Sequence, residues 1–145
     1  MGLSNIKATV CDSSVYNEKL FEKADRVLCD VPCAGLGIIS KKPDIKYSYT
    51  KEGHNELAEL QLKILKTCSK YVKKGGVLVY STCSMGKKEN ISNIEAFLKD
   101  GGFEMVSIKE YIPDSIKCET TESGYINVMP ENNFDGFFIC KMKRV

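Results

Sequence analysis

The chain has 145 residues, 43% apolar and 28% charged, with 21 Lys and Arg against 19 Asp and Glu for a net charge of +2. This length and balance suit one soluble globular domain with one core and exclude disordered and collagen-like classes, and the charge is too small to argue nucleic-acid binding by itself. No apolar run approaches the roughly 20 residues of a membrane span, and Met1-Gly2-Leu3-Ser4-Asn5 does not open a signal peptide, so a cytoplasmic location is expected.

In chain order, Ile6 to Cys11 reads as a short strand ending in a polar turn at Asp12-Ser13-Ser14. Arg26 to Cys29 is a second strand, closed by Pro32 and loosened by Gly35 and Gly37. Residues 40–53, with Pro43 and Gly53, read as a long irregular loop, a kind often functional. From His54 to Lys73 the apolar residues Leu57, Leu60, Ile64, Leu65, Cys68, Tyr71 and Val72 recur at the spacing of one buried helical face, and Gly75-Gly76 stops that helix. Val77 to Tyr80 is a buried strand. Glu89 to Lys99 is a second helix with Ile91, Ile94, Phe97 and Leu98 inward, ended by Gly101-Gly102. Phe103 to Ile108 and Phe137 to Met142 are two final strands with a turn-rich segment between them. Strands alternating with helices predict an α/β domain with a mostly parallel sheet.

Seven cysteines, an odd number, sit partly inside these apolar runs, as reduced intracellular thiols do. There is no CxxC pair and the one histidine is His54, so a structural zinc site is not expected. Two cysteines stand out. Cys33 and Cys83 each follow a strand directly, and parallel strands would carry both to the sheet edge where such folds place ligands. A convergent thiol pair suggests covalent chemistry.

The turns Asp30-Val31-Pro32-Cys33-Ala34-Gly35-Leu36-Gly37 and Ser81-Thr82-Cys83-Ser84 resemble two signature motifs of the Sun/RsmB family of RNA cytosine-5 methyltransferases. The resemblance extends through Lys42-Pro43-Asp44-Ile45-Lys46, Glu89-Asn90 and Asp135-Gly136-Phe137-Phe138, and so covers nearly the whole chain, with the 16S ribosomal RNA enzymes most similar. It implies a class I, Rossmann-like methyltransferase sheet with helices on both faces. Gly2 to Lys7 resembles the linker before that fold's third strand, so residues 1–145 would be the C-terminal portion of the catalytic domain, lacking its first two strands.

The resemblance also implies roles. Cys83 would add to carbon 6 of cytosine, which turns carbon 5 into a nucleophile for the methyl group of S-adenosylmethionine. Cys33 would assist loss of the carbon 5 proton, and Asp30 would bond the cytosine edge. Asp12, Asp30 and Pro32 would line the cofactor, and Lys41, Lys42 and Lys46 would contact RNA phosphates. Lys87 and Lys88 are candidates to favour the Cys83 thiolate, since a free thiol titrates near about 8.5. With the glycine-rich cofactor loop upstream of the match, the chain alone would bind the cofactor weakly and be inactive, and the open edge of its strand at 26–29 would invite self-association.

Other readings stand beside these. A single cysteine at a strand end is usually core packing; Cys11, Cys29, Cys68 and Cys140 are read so, and Cys118 as a surface thiol. Asp12 equally suits a plain turn, the lysines a solvated face, and His54 a helix start without chemistry. For the whole chain the alternatives are a transfer RNA enzyme of the same family, a non-catalytic RNA-binding or assembly fragment, and a thiol redox protein.

Overall fold

The computed structural model describes residues 3–113, 116, 122–131 and 134–145; Cys118 lies outside them. Strand β1, Ala24–Asp30, is followed by a short helix α1, Ile45–Ser48, inside the segment expected to be irregular. Helix α2, Lys51–Ser69, leads to β2, Val72–Thr82, and helix α3, Ile91–Leu98, to β3, Phe103–Met105. Then come β4, Tyr125–Val128, and β5, Phe137–Arg144. The sheet order is β1-β2-β5-β3, with β4 also on β5. The β1–β2 pairing is parallel, and β5 runs antiparallel to β2, β3 and β4. Four strands therefore point one way, with β5 reversed between β2 and the β3 and β4 pair.

Alternation explains which face is buried. Val27, Cys29 and Val31 point with Leu78 and Tyr80 into a core closed by Ile64 and Leu65 of α2 and Ile94 and Phe97 of α3. Both longer helices thus cover the same face, and they contact each other. On the opposite face Val77, Val79 and Ile139 meet Ile108, Tyr111 and Ile112 around a groove of about 470 Å³. The expectation of helices on both faces is met there, among the described residues, only by the 3-10 turn Lys109–Tyr111.

Several expectations are corrected. Residues 6–11 form no strand, and Ile6 is 66% exposed with Val10 fully exposed. A strand needs a hydrogen-bonding neighbour, and none runs beside this segment among the described residues. Cys11 is accordingly exposed rather than in the core. Helix α2 stops at Ser69, because Tyr71 and Lys70 turn their carbonyls to Ala24 and Glu22. Gly75 and Gly76 therefore do not stop a helix. They lie within β2, where the register slips from Ala24 opposite Val72 to Arg26 opposite Val77; Gly75 takes φ +77° and a side chain on Gly76 would strike the Asp25 carbonyl. The α2 face is also rotated from the one expected: Leu60 is 39% exposed, whereas Gln61 is fully buried. Strand β4 occupies part of the segment read as turn-rich.

Candidate active site

The two cysteine turns leave the sheet side by side because β1 and β2 are in parallel register up to Asp30 opposite Ser81. Val31 N–H still donates to Ser81 O at 3.2 Å, and the chains then diverge into their turns. Gly37 N–H returns to Cys83 O at 3.0 Å, and Gly136 N–H donates to Gly37 O at 2.8 Å. A Cβ on Gly37 would lie 2.2 Å from the Gly136 carbonyl oxygen, so this three-way approach requires glycine. The result is contact between Cys33 Sγ and Cys83 Sγ at 2.8 Å, both free thiols.

Burial, and then the hydrogen bond with Cys83, push the Cys33 thiol up to about 12. Cys33 therefore keeps its proton near neutrality and has an S–H to donate to the Cys83 sulfur. Lys88, expected as a cationic neighbour, instead donates to Asn55 Oδ1 at 2.7 Å, and Lys87 is exposed.

Beneath the thiols lies a polar cluster that the sequence analysis did not assign. Glu89 is fully buried. Its Oε1 accepts from Ala34 N–H and from Gln61 Nε2, each at 2.8 Å, and Ser84 Oγ donates to its Oε2. Gln61 Nε2 also reaches Pro32 O at 2.8 Å, and Tyr80 Oη donates to the Glu89 carbonyl at 2.5 Å. Thr82 Oγ1 donates to Asn90 Oδ1 at 2.6 Å, while Asn90 Nδ2 donates to Ser84 O at 2.8 Å. His54, read as chemically silent, is nearly buried, and its Nδ1 lies 3.4 Å from Glu89 Oε2 without hydrogen-bond geometry. The available signal was the Glu89-Asn90 motif just before α3 and a glutamine set within the buried face of α2.

The other expected residues divide. Asp30 and Pro32 are exposed at the end of β1, and Ser81 Oγ donates to Asp30 Oδ1 at 2.7 Å. Asp12 is not brought to this cluster. Its Oδ1 accepts from Ser14 N–H, which holds the carboxyl below the usual carboxylate range, and Ser14 O faces Thr67, well along α2 from Gln61. Lys41 is ion-paired with Asp135 at 2.6 Å, and Lys42 and Lys46 are exposed. A cleft of about 410 Å³ opens beside Cys33, lined among others by Ile45, Tyr49, Thr50, His54 and Leu57.

A family model described as 16S rRNA methyltransferase RsmB/F matches residues 1–143. The chain belongs to that family. It is 39% identical over 148 residues to the probable ribosomal RNA small subunit methyltransferase B of Bacillus subtilis (strain 168), covering 99% of the chain and 33% of that protein. It is 35% identical over 149 residues to ribosomal RNA small subunit methyltransferase F of Shewanella halifaxensis (strain HAW-EB4), covering all of the chain and 31% of that protein. Among solved structures, PH0851 matches with TM-score 0.87 and 31% identity, over 99% of this chain and 32% of that one. NSun6 from Pyrococcus horikoshii, crystallised with SFG, matches with TM-score 0.78 and 26% identity, over 99% and 36%. The chain spans about a third of the length of the curated relatives it matches. Its mixed sheet has the fold of part of the class I methyltransferase domain of these Sun-type neighbours. No described helix is long and apolar enough to cross a membrane.

Proposed function

We propose that this chain carries the thiol half of an RNA cytosine-5 methyltransferase site that acts on a cytidine of 16S rRNA through a covalent adduct on Cys83. The observation that carries the reading is the sulfur contact of Cys33 and Cys83 at the carboxyl ends of two parallel strands, in a member of an rRNA methyltransferase family. The names of the relatives favour ribosomal over transfer RNA.

S-adenosylmethionine, when bound, supplies an electrophilic methyl group. The residues present offer it one wall: Asp30 is exposed at the strand end and spends Oδ1 on Ser81, and a carboxylate there suits a sulfonium neighbour. Pro32 is exposed beside it. The NSun6 relative holds SFG, an S-adenosylmethionine analogue, which supports the same cofactor here. Asp12, held in its own turn, is proposed only as a more distant contact on the adenine side.

The work of this chain is then to add, hold and release the base. Cys83, as thiolate, bonds carbon 6 of cytosine and makes carbon 5 nucleophilic. Asp30 orients the base edge. At release the carbon 5 proton leaves, its C–H electron pair forms the carbon 5–carbon 6 double bond, and the Cys83 sulfur departs with the electrons of the carbon 6–sulfur bond. Cys33, protonated in the resting site because burial raises its thiol, passes its proton to the departing Cys83 sulfur and takes up the carbon 5 proton in the same exchange, so both thiols end protonated. The cleft beside Cys33 suits a base turned out of its stack, with Lys42 and Lys46 on the phosphates.

The test is adduct trapping. Small-subunit RNA containing 5-fluorocytidine is incubated with S-adenosylmethionine and the protein expressed from its full coding sequence, then run on a denaturing gel. Fluorine cannot leave as a proton, so a stable protein–RNA band is expected that Cys83→Ser abolishes. A band that survives Cys83→Ser moves the nucleophile elsewhere, and no band from the unaltered protein favours a binding or assembly role.

A further inference from the structure

We propose that Glu89 is the positioning residue that locks the two cysteine turns together. The β1–β2 register ends at Asp30 and Ser81, and each cysteine lies beyond that pair in irregular chain, where Gly37 N–H on Cys83 O also joins the two turns through the backbone. Past it, one buried carboxylate bonds both turns: Ala34 N–H, next to Cys33, donates to Oε1, and Ser84 Oγ, next to Cys83, donates to Oε2. Gln61 Nε2 braces the same oxygen and the Pro32 carbonyl, which anchors the Pro-Cys turn to α2.

The cluster is built around an acceptor, above all at Oε1. An ionised carboxylate only accepts, and Glu89 faces an amide N–H, a glutamine NH₂ and a hydroxyl, with His54 Nδ1 at 3.4 Å. Gly86 closes the cluster from above: a Cβ there would lie 2.8 Å from His54 Cε1 and 3.2 Å from Glu89 Oε2. Burying a carboxylate is costly unless such donors surround it, and the same groups hold the sulfurs in one place. Glu89 touches neither sulfur. It acts through Ala34 and Ser84 on where the thiols point, and its functional meaning rests on the reading of that pair as methyl-transfer thiols.

The readout is the rate at which diamide couples Cys33 to Cys83, measured by peptide mapping of the purified chain at fixed pH. The two thiols are oxidised to a disulfide, and the diazene is reduced to a hydrazine. Small displacements cost proximity-dependent reactions heavily, so Glu89→Ala is expected to form this disulfide at least about tenfold more slowly while still melting cooperatively. Glu89→Gln keeps an oxygen for Ala34 and Gln61 and is expected to return the rate to within about threefold of the unaltered chain. A purely stabilising Glu89 would lower the melting temperature and leave the coupling rate alone. Coupling at the original rate in a cooperatively folded Glu89→Ala chain overturns the proposal, as does Glu89→Gln that is as slow as alanine. Should Glu89→Ala lose its cooperative melt, Ser84→Ala decides, since it cuts the carboxylate's link to the Cys83 turn, with the hydroxyl's 3.4 Å contact to Gly86 N–H, and leaves the Glu89 bonds to Ala34 and Gln61 in place: slower coupling supports the proposal and an unchanged rate overturns it. The assay contains neither RNA nor methyl donor, so its outcome is independent of adduct trapping.

Discussion

Ser81 stands opposite Asp30 in the parallel register of β1 and β2, and its hydroxyl donates to Asp30 Oδ1 at 2.7 Å. The bond joins the last paired residues of the two strands, so the strand ends and the carboxylate are set by one contact. Asp30→Asn preserves the acceptor for Ser81 and removes the charge. Its melting temperature should therefore match that of the unaltered protein, while methyl transfer falls about 10²- to 10³-fold, the usual cost of losing one preorganised polar group. Rates measured with tritiated methyl donor on small-subunit RNA check this; full activity in Asp30→Asn would remove Asp30 from the chemistry.

The raised Cys33 thiol has a consequence for stability. Burial takes both Cys33 and Cys140 up to about 12, whereas in an unfolded chain thiols titrate near about 8.5. Between those values the folded chain binds more protons than the unfolded one, so stability is full below the unfolded value and declines as pH rises toward the folded one. Urea midpoints should fall from about pH 8 to about pH 10, and Cys33→Ser with Cys140→Ser should flatten the fall. The hydrogen bond with Cys68 and then burial also raise Cys29, and burial raises Tyr80, so some slope should remain, offset in part by Cys68, which the same bond lowers. A midpoint that rises with alkali contradicts the burial of these thiols.

Legibility followed the kind of force involved. Alternation at Val27, Cys29 and Val31 and helical spacing at Ile91, Ile94 and Phe97 are written in the sequence, because burial of one face alone dictates them. Tyr71 and Val72 keep the helical period, yet the chain turns at Tyr71 and Val72 opens β2, since the bonds to residues 22–24 are long-range and local spacing does not carry them. Residues 6–11 show the reverse, a strand-like pattern without a neighbour. At the site, the two cysteine turns were visible as motifs. Glu89 was visible only within the Glu89-Asn90 motif, with no role attached, and Gln61 and His54 not as site residues, because a buried polar residue means something only once its partners are known, and these come from α2, the Cys83 turn and the Pro-Cys turn together.

The crossing at Gly37 gives a packing test. An added methyl group would stand 2.2 Å from Gly136 O and 2.9 Å from Cys83 O, both backbone atoms that cannot swing away. Gly37→Ala should cost about 1–3 kcal/mol, typical of overpacking, and should separate the Cys83 turn from the segment before β5. Denaturant unfolding measures the first effect. Faster alkylation of Cys83 by iodoacetamide reports the second, and a variant unchanged in both would show that the three segments are not in register as described.

The outer edge of β1 makes the last prediction. Its ladder partner is β2 on one side, and among the described residues no strand pairs with the other. Leu28 is 70% exposed there, flanked on the same face by exposed Arg26 and Asp30. Two copies of β1 paired antiparallel about Leu28 would set Leu28 against Leu28 and each Arg26 opposite an Asp30, a favourable cross-strand arrangement. The purified chain is therefore expected to show a light-scattering mass that rises with concentration and falls with added salt. Leu28→Lys places like charges at the centre of that pairing and should hold the chain monomeric. If the unaltered chain scatters as a monomer throughout, or Leu28→Lys associates as readily, the β1 edge is not where copies meet.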